Sequence, residues 1–189
     1  MGMITLDDGT QEWRENGYLH RLDGPAVIRA DGYQAWCVDG ELHRLDGPAV
    51  ITPNGSQEWW ENGCWHRLDG PAMIYANGHQ QWWVNGQRHR LDGPAIIRPN
   101  SGEREWYVDG RPHRLDGPAV IWSNGARQWW VNGHLHRLDG PAKIWADGSQ
   151  EWYVHGKNIT QPVTTWIAQR NITWPWDQEA QMEFVLTWA

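Results

Sequence analysis

The stretch His66-Arg67-Leu68-Asp69-Gly70-Pro71-Ala72 decides the fold. The same heptad begins again at His20, His43, His89, His113 and His136, at a spacing of 23 residues with a single step of 24. A fixed period of this size marks a repeat array, because each unit is too small to bury an apolar face alone and must stack on its neighbours. Outward from Ala72 the chain runs Met73-Ile74-Tyr75-Ala76, then Asn77-Gly78, then His79-Gln80-Gln81-Trp82-Trp83-Val84, then Asn85-Gly86. Asn-Gly between β-prone runs is a strong hairpin signal, since both residues tolerate positive φ. Helical periodicity does not survive this density of Gly and Pro. Each repeat therefore reads as a pair of short strands, and the chain as a meander of them.

The heptad itself reads as a construction part. Asp69 can accept backbone N–H groups in an Asx-type turn, Gly70 supplies an unusual dihedral, and Pro71 fixes φ on entry to the next strand. Arg67 can pair with an aspartate, and His66 can bond to the backbone. A set of residues present in every repeat fits a scaffold better than a catalytic centre.

The pairing register follows from the turn. A two-residue turn at Asn77-Gly78 would mix polar and apolar side chains on both faces. A three-residue turn with a bulge shifts the pairing by one and places Ala72, Ile74, Trp82 and Val84 together. That face is expected to be the core, with rows Ile28, Ile51, Ile74, Ile97, Ile121, Ile144 and Trp36, Trp59, Trp82, Trp106, Trp129, Trp152. The opposite face then carries Trp60, Trp83, Tyr107, Trp130 and Tyr153, with Cys37 at the first position. Beside it runs a variable row: Arg29, Thr52, Tyr75, Arg98, Trp122 and Trp145. Two readings of that face stand. It is either a second buried layer or an aromatic strip large enough to mark a partner surface.

The ends depart from the pattern. Residues 3–19 form a partial first repeat, and six full repeats extend the array over residues 1–158. Beyond it, Thr160-Gln161-Pro162 reads as a helix start, with Val163, Trp166 and Ile167 at helical spacing. A second helix is expected from near Asp177 to Thr187, with Ala180, Phe184, Val185 and Trp188 on one side. Residues 159–189 would thus form a short α-helical cap. The fold class expected is mostly β: an elongated single-layer antiparallel β-meander, or solenoid, of hairpin repeats, closed by that C-terminal cap. The N-terminal edge has no counterpart and could pair with a second copy.

Composition narrows function by exclusion. Seventeen Trp and one Phe give the indole the packing role that Leu, Ile and Phe usually share. The net charge of −7 argues against long nucleic acid and anionic membrane surfaces as partners. No apolar run spans a bilayer, and the N-terminal residues lack the pattern of a secretory leader. Cys37 and Cys64 fit no metal or redox spacing, so a cytoplasmic chain with reduced thiols is expected. A His ladder suggests metal, but histidines of successive repeats lie two strands apart, about 9–10 Å, and cannot share one ion. His134 and His136 are the close pair expected on one strand face, without further ligands in view. Neither cysteine has an assigned base, and the glycines are turn residues rather than a phosphate loop. The expectation is no catalytic residue, no metal and no cofactor.

Trp83-Val84-Asn85-Gly86-x-x-His89 resembles MORN repeats, especially the variant with paired aromatics before Asn-Gly. Trp60-Glu61-Asn62-Gly63, Tyr107-Val108-Asp109-Gly110 and Trp130-Val131-Asn132-Gly133 carry the same resemblance, over roughly residues 3–158. It departs after the His, where MORN repeats have Gly-x-Gly and this chain has the heptad. The resemblance implies a β-meander used as a scaffold or binding surface without catalysis of its own. Arrays with this heptad also resemble proteins of bacteriophages and some bacteria, which implies a setting in the host cytoplasm and inhibition of a bacterial defence system.

Two functions are therefore expected. The first is a non-enzymatic module, or inhibitor, that binds a protein partner. The second is a sponge that sequesters a small nucleotide or aromatic signal molecule, because aromatic rings near arginines can stack on a base. In both, the candidate binding residues are Trp60, Tyr75, Trp83, Tyr107, Trp122, Trp130, Trp145, Tyr153, Arg29 and Arg98.

Overall fold

A computed structural model of the chain describes residues 2–189. It is mostly β, with a 15-stranded antiparallel meander sheet and two short helices at the C-terminal end. The chain divides into two compact units. One takes the chain up to Arg90 together with Ala95–Asn100, and the other takes Leu91–Pro94 with Ser101–Ala189.

The two Asn-Gly turns of a repeat are different turns, and the backbone shows why. At Asn85-Gly86 both residues have positive φ, 50° and 73°. This is the mirror-type two-residue turn, which matches the twist of the short strands Trp83–Val84 and Gln87–Arg88 that it joins. At Ala76-Asn77-Gly78 only Gly78 has positive φ, 82°. Asn77 Oδ1 accepts the His79 N–H at 3.0 Å, and the Tyr75 N–H reaches the His79 carbonyl at 2.9 Å. This is the three-residue turn with a bulge expected from the sequence. It sets Met73 opposite Gln81 and Ile74 opposite Gln80. The same Asx bond recurs from Asp31 to Tyr33, Asn54 to Ser56, Asn124 to Ala126 and Asp147 to Ser149. The 24-residue repeat places its additional residue here, in Pro99–Gly102 between strands Ile96–Arg98 and Glu103–Glu105.

A repeat contributes four short strands rather than the two expected. The second strand breaks at Trp82, whose N–H donates to the Ala95 carbonyl at 2.8 Å and whose carbonyl accepts the His89 N–H at 3.1 Å. Gln80–Gln81, before the break, stays in the main sheet, whereas Trp83–Val84, after it, pairs only within its own small hairpin. The small hairpins stack in turn: the Gly86 N–H donates to the Trp65 carbonyl and the Arg67 N–H to the Trp83 carbonyl, both at 3.0 Å.

The expected assignment of the core to one face needs correction. The register was as expected, but Ile28, Ile51, Ile74, Ile97, Ile121 and Ile144 are only half-buried, as are the tryptophans of their row apart from Trp152. Burial falls on the heptad alanines, including Ala49, Ala72 and Ala95, and on the residue after each, including Val50, Met73 and Ile96, except in the last repeat, where Lys143 is half-buried. In the first full repeat Ala26 and Val27 pack with Ala35 and Cys37 in one buried cluster. The most buried positions therefore lie where each repeat enters the main sheet, and the isoleucine row beside them is not the core.

The helices follow the sequence closely. The first, α1 (Thr160–Arg170), begins where Asn158 Oδ1 accepts the Thr160 N–H at 2.9 Å, and Pro162 stands in the first turn, where a missing N–H costs nothing. It ends at Asn171, in the left-handed conformation at φ 52°. The second, α2 (Gln178–Trp188), is capped by Asp177, which accepts the Ala180 N–H at 2.9 Å. Together they bury Val163, Trp166 and Phe184 against Trp152, Val154 and Ile159 of the last repeat, with Leu138 packed at the margin. Among the described residues no helix is long and apolar enough to cross a membrane.

Candidate functional site

The two faces of the array are built from different chemistry. On one face, each heptad arginine folds back over the tryptophan that follows the previous three-residue turn. The Arg67 guanidinium carbon lies 4.0 Å from the ring centre of Trp59, and Arg21, Arg44, Arg90, Arg114 and Arg137 stand over Trp13, Trp36, Trp82, Trp106 and Trp129 at 3.9–4.0 Å. Arg67 Nε donates to Asp69 at 2.8 Å and Nη1 to the Pro71 carbonyl at 3.3 Å. That hydrogen bond, and then the charge, hold the Asp69 carboxyl below the usual carboxylate range. The heptad is thus a clamp in which one guanidinium closes a turn and covers an indole.

The heptad histidines receive the chain of the next repeat. His43 Nδ1 accepts the Asn62 N–H at 3.2 Å, and His66 Nδ1 accepts the Asn85 N–H at 3.3 Å. In the last repeat His155 takes the Asn position, and its N–H donates to His136 Nδ1 at 3.1 Å with the rings 4.4 Å apart. The close imidazole pair is therefore His136 with His155, not His134 with His136, because stacking of repeats brings these rings together. Burial, and then the His155 charge, push His136 below the usual imidazole range. The unfolded chain then binds the proton more readily than the folded one. This contribution to stability is complete above about pH 6.5 and is lost as pH falls through the lowered value. Thermal unfolding of the second unit should shift downward as pH falls from about 6.5, and His136→Gln should flatten that dependence. An unchanged slope in the variant would remove His136 as its cause.

The opposite face carries the aromatic row. In the first unit Trp60, Trp65 and Trp83 form a continuous lane, with ring centres 4.5 and 5.1 Å apart. Glu58 Oε2 accepts from Trp60 Nε1 at 2.9 Å and from Trp65 Nε1 at 3.3 Å, and Gln81 Oε1 accepts from Trp83 Nε1 at 3.1 Å. Arg88 closes the lane, 5.2 Å over Trp83. Tyr75 stacks on His79 with ring centres 4.8 Å apart, and Arg29 lies 4.4 Å over Tyr33. Burial, foremost, raises the Tyr75 and Tyr33 phenols. Arg98 is half-buried in the strand Ile96–Arg98.

In the second unit Tyr107 donates to Glu105, Trp130 to Gln128 and Tyr153 to Glu151, at 3.0, 2.9 and 2.8 Å. Trp145 donates to the same Glu151 at 2.8 Å, and Lys143 Nζ lies between its ring and that of Tyr153, 5.3 and 5.0 Å away. Burial works to raise Glu151, but the bonds from Tyr153 and Trp145 and the Lys143 charge outweigh it and hold the carboxyl down. Trp122 is half-buried, and Trp145 is 40% exposed.

The candidate residues thus share one face within each unit, half-buried for the most part. Sequence reading missed Trp65, which stands in a position filled elsewhere by Leu19, Leu42, Arg88, Pro112 and Leu135 and so carries no repeating signal. It also missed the acceptor row, which was legible. An acidic or amide residue precedes each outer aromatic by two positions, in Glu58-Trp59-Trp60, Gln81-Trp82-Trp83, Glu105-Trp106-Tyr107, Gln128-Trp129-Trp130 and Glu151-Trp152-Tyr153. Where the aromatic is replaced by Cys37, the acceptor position is Ala35. An indole N–H on a half-buried face needs an acceptor, and a residue two along a strand points the same way.

Burial pushes the Cys37 thiol up, while Cys64 is exposed and unpaired by disulfide. Among the described residues no group of three His, Cys, Asp or Glu side chains is placed to hold a metal ion. Comparison of the chain with protein-family models and with curated proteins gives no match.

Proposed function

We propose that the chain is a non-catalytic, MORN-like repeat module, working in the cytoplasm, that binds a protein partner across its aromatic face. The observation that carries this reading is the lane Trp60-Trp65-Trp83. Its indole N–H groups are already bonded within the face, so its ring surfaces offer apolar area with little left to desolvate. Rigid aromatic side chains fixed in this way lose little entropy on binding and are the usual anchors of interfaces. The resemblance to phage and bacterial heptad arrays suggests a host defence factor as the partner.

The test is co-purification from the source cells followed by native mass spectrometry. A stoichiometric protein partner is expected on the native chain. Trp65→Ala should weaken it by about 30-fold, equivalent to an interface anchor worth roughly 2 kcal/mol, with the far-ultraviolet circular dichroism retained. A complex indifferent to Trp65→Ala and to Trp145→Ala would remove the aromatic face from the interface. A second reading has its own observation: Arg29 over Tyr33 and Arg88 over Trp83 pair a cation with a ring, the arrangement that holds a nucleobase beside a phosphate. A retained mass of a few hundred daltons, released on denaturation, would support that sponge.

A further inference from the structure

The clamp leaves one side chain of each heptad unused. Leu22, Leu45 and Leu68, in the first unit, are 79%, 77% and 81% exposed, although they alternate with a tucked arginine and an exposed aspartate. Nothing in the turn requires leucine at this position, and a solvated loop has no use for three large apolar tips on one ridge. Clefts separate them. One of about 740 Å³ lies between Leu22 and Leu45 over Trp36, and one of about 470 Å³ lies between Leu45 and Leu68 over Trp59.

The second unit shows what such a loop accepts. At Arg137-Leu138-Asp139-Gly140 the segment joining α1 to α2 lies on the heptad. Trp174 Nε1 donates to the Asp139 carbonyl at 3.2 Å, and its ring stands 5.6 Å from the Arg137 guanidinium. The indole lies so close to Gly140 that a Cβ there would be 2.6 Å from Nε1. Leu138 packs into the cap cluster. The Asp139 side chain is 61% exposed, against 81%, 84% and 83% for Asp23, Asp46 and Asp69. A tryptophan seated on the glycine of the turn, with a neighbouring apolar contact to the leucine, is thus a binding mode that this loop sequence already supports.

We propose that the heptad loops of the first unit, at Leu22, Leu45 and Leu68, form a docking row for a tryptophan-bearing, basic polypeptide segment of a partner protein. Three features select that chemistry. The indole is the group seated on the equivalent loop of the second unit. The leucine tips supply apolar contact on either side of it. The charge exposed on the ridge is negative, since the arginines are turned onto Trp13, Trp36 and Trp59 while the carboxylates of Asp23, Asp46 and Asp69 face solvent. Successive loops are two strands apart, about 9–10 Å. An extended segment repeats its face every three residues at about 9.3 Å, and so keeps step with the row better than a helix. This row lies on the face opposite the aromatic lane, and it does not depend on the lane being an interface.

The probe is a synthetic peptide carrying the chain's own Ile172-Thr173-Trp174-Pro175-Trp176 segment flanked by lysines, titrated into the full chain with labelled leucine methyls. Saturable shifts are expected at Leu22, Leu45 and Leu68, with affinity falling on addition of salt. The variant Leu22→Ser/Leu45→Ser/Leu68→Ser should fold normally, because these tips touch solvent, and should bind about tenfold more weakly, equivalent to about 1.4 kcal/mol. A peptide with alanine in place of its first tryptophan should lose the shifts. Binding unchanged in the triple variant, shifts confined to the Trp60-Trp65-Trp83 lane, or no saturable shift at millimolar peptide would each overturn the proposal. The lane-confined result would do so while supporting the aromatic face.

Discussion

Phe184→Ala is expected to cost about 3–5 kcal/mol, the range for removing a fully buried aromatic ring. Phe184 is 0% exposed, the one phenylalanine in a chain otherwise packed with indoles. Its ring lies 4.9 Å from Trp176 and 5.0 Å from Trp188, with Trp166 at 6.4 Å. It ties α2 to α1 and to the end of the array, where Trp152 and Val154 complete the same cluster. The surrounding indoles are rigid and interlocked edge to face, Trp166 standing at 83° to both Trp176 and Trp188, so they cannot collapse into the space left. Urea unfolding followed by tryptophan fluorescence gives the loss directly. A loss below about 1 kcal/mol would mean that the helices are dispensable to the second unit.

Arg67→Ala is expected to cost roughly 1–3 kcal/mol, well beyond a surface substitution. Three contacts go at once: the cation over Trp59, the bond to Asp69 and the bond to the Pro71 carbonyl. The arginine is fitted closely, since a Cβ on Gly70 would lie 3.0 Å from its guanidinium carbon. Asp69→Asn should cost far less, because that carboxylate is 83% exposed and a solvated ion pair contributes little. Arg67→Lys should recover only a small part, since an ammonium cannot reach the carboxylate and the carbonyl with one planar fork. These variants can be ranked by thermal unfolding. Equal losses for Asp69→Asn and Arg67→Ala would place the stabilisation in the ion pair instead of the stack.

Much of this fold was legible because its determinants are local. The two positive-φ residues at Asn85-Gly86 and the single one at Gly78 follow from short-range turn chemistry, and they fix the register that sets Ile74 opposite Gln80. Asp177 and Pro162 marked helix starts for similarly local reasons. The candidate site was legible in part. The outer aromatics repeat, so their shared face could be foreseen, whereas Trp65 bridges Trp60 and Trp83 from a position with no repeating identity.

The sequence by itself determined the period, the register across the three-residue turn and the helical ending, because each depends on residues a few positions apart; the break of the second strand at Trp82 was not among them. Only the tertiary structure decided what covers what. Alternation along a strand grouped Ile74 with Ala72, but it could not show that Ala72 and Met73 are buried while Ile74 is only half-buried. It could not show that Leu68 stands in solvent while Leu138, in an identical heptad, is packed under the cap. Burial is set by whichever segments fold over a position, and identical local sequences meet different neighbours at different places in the array.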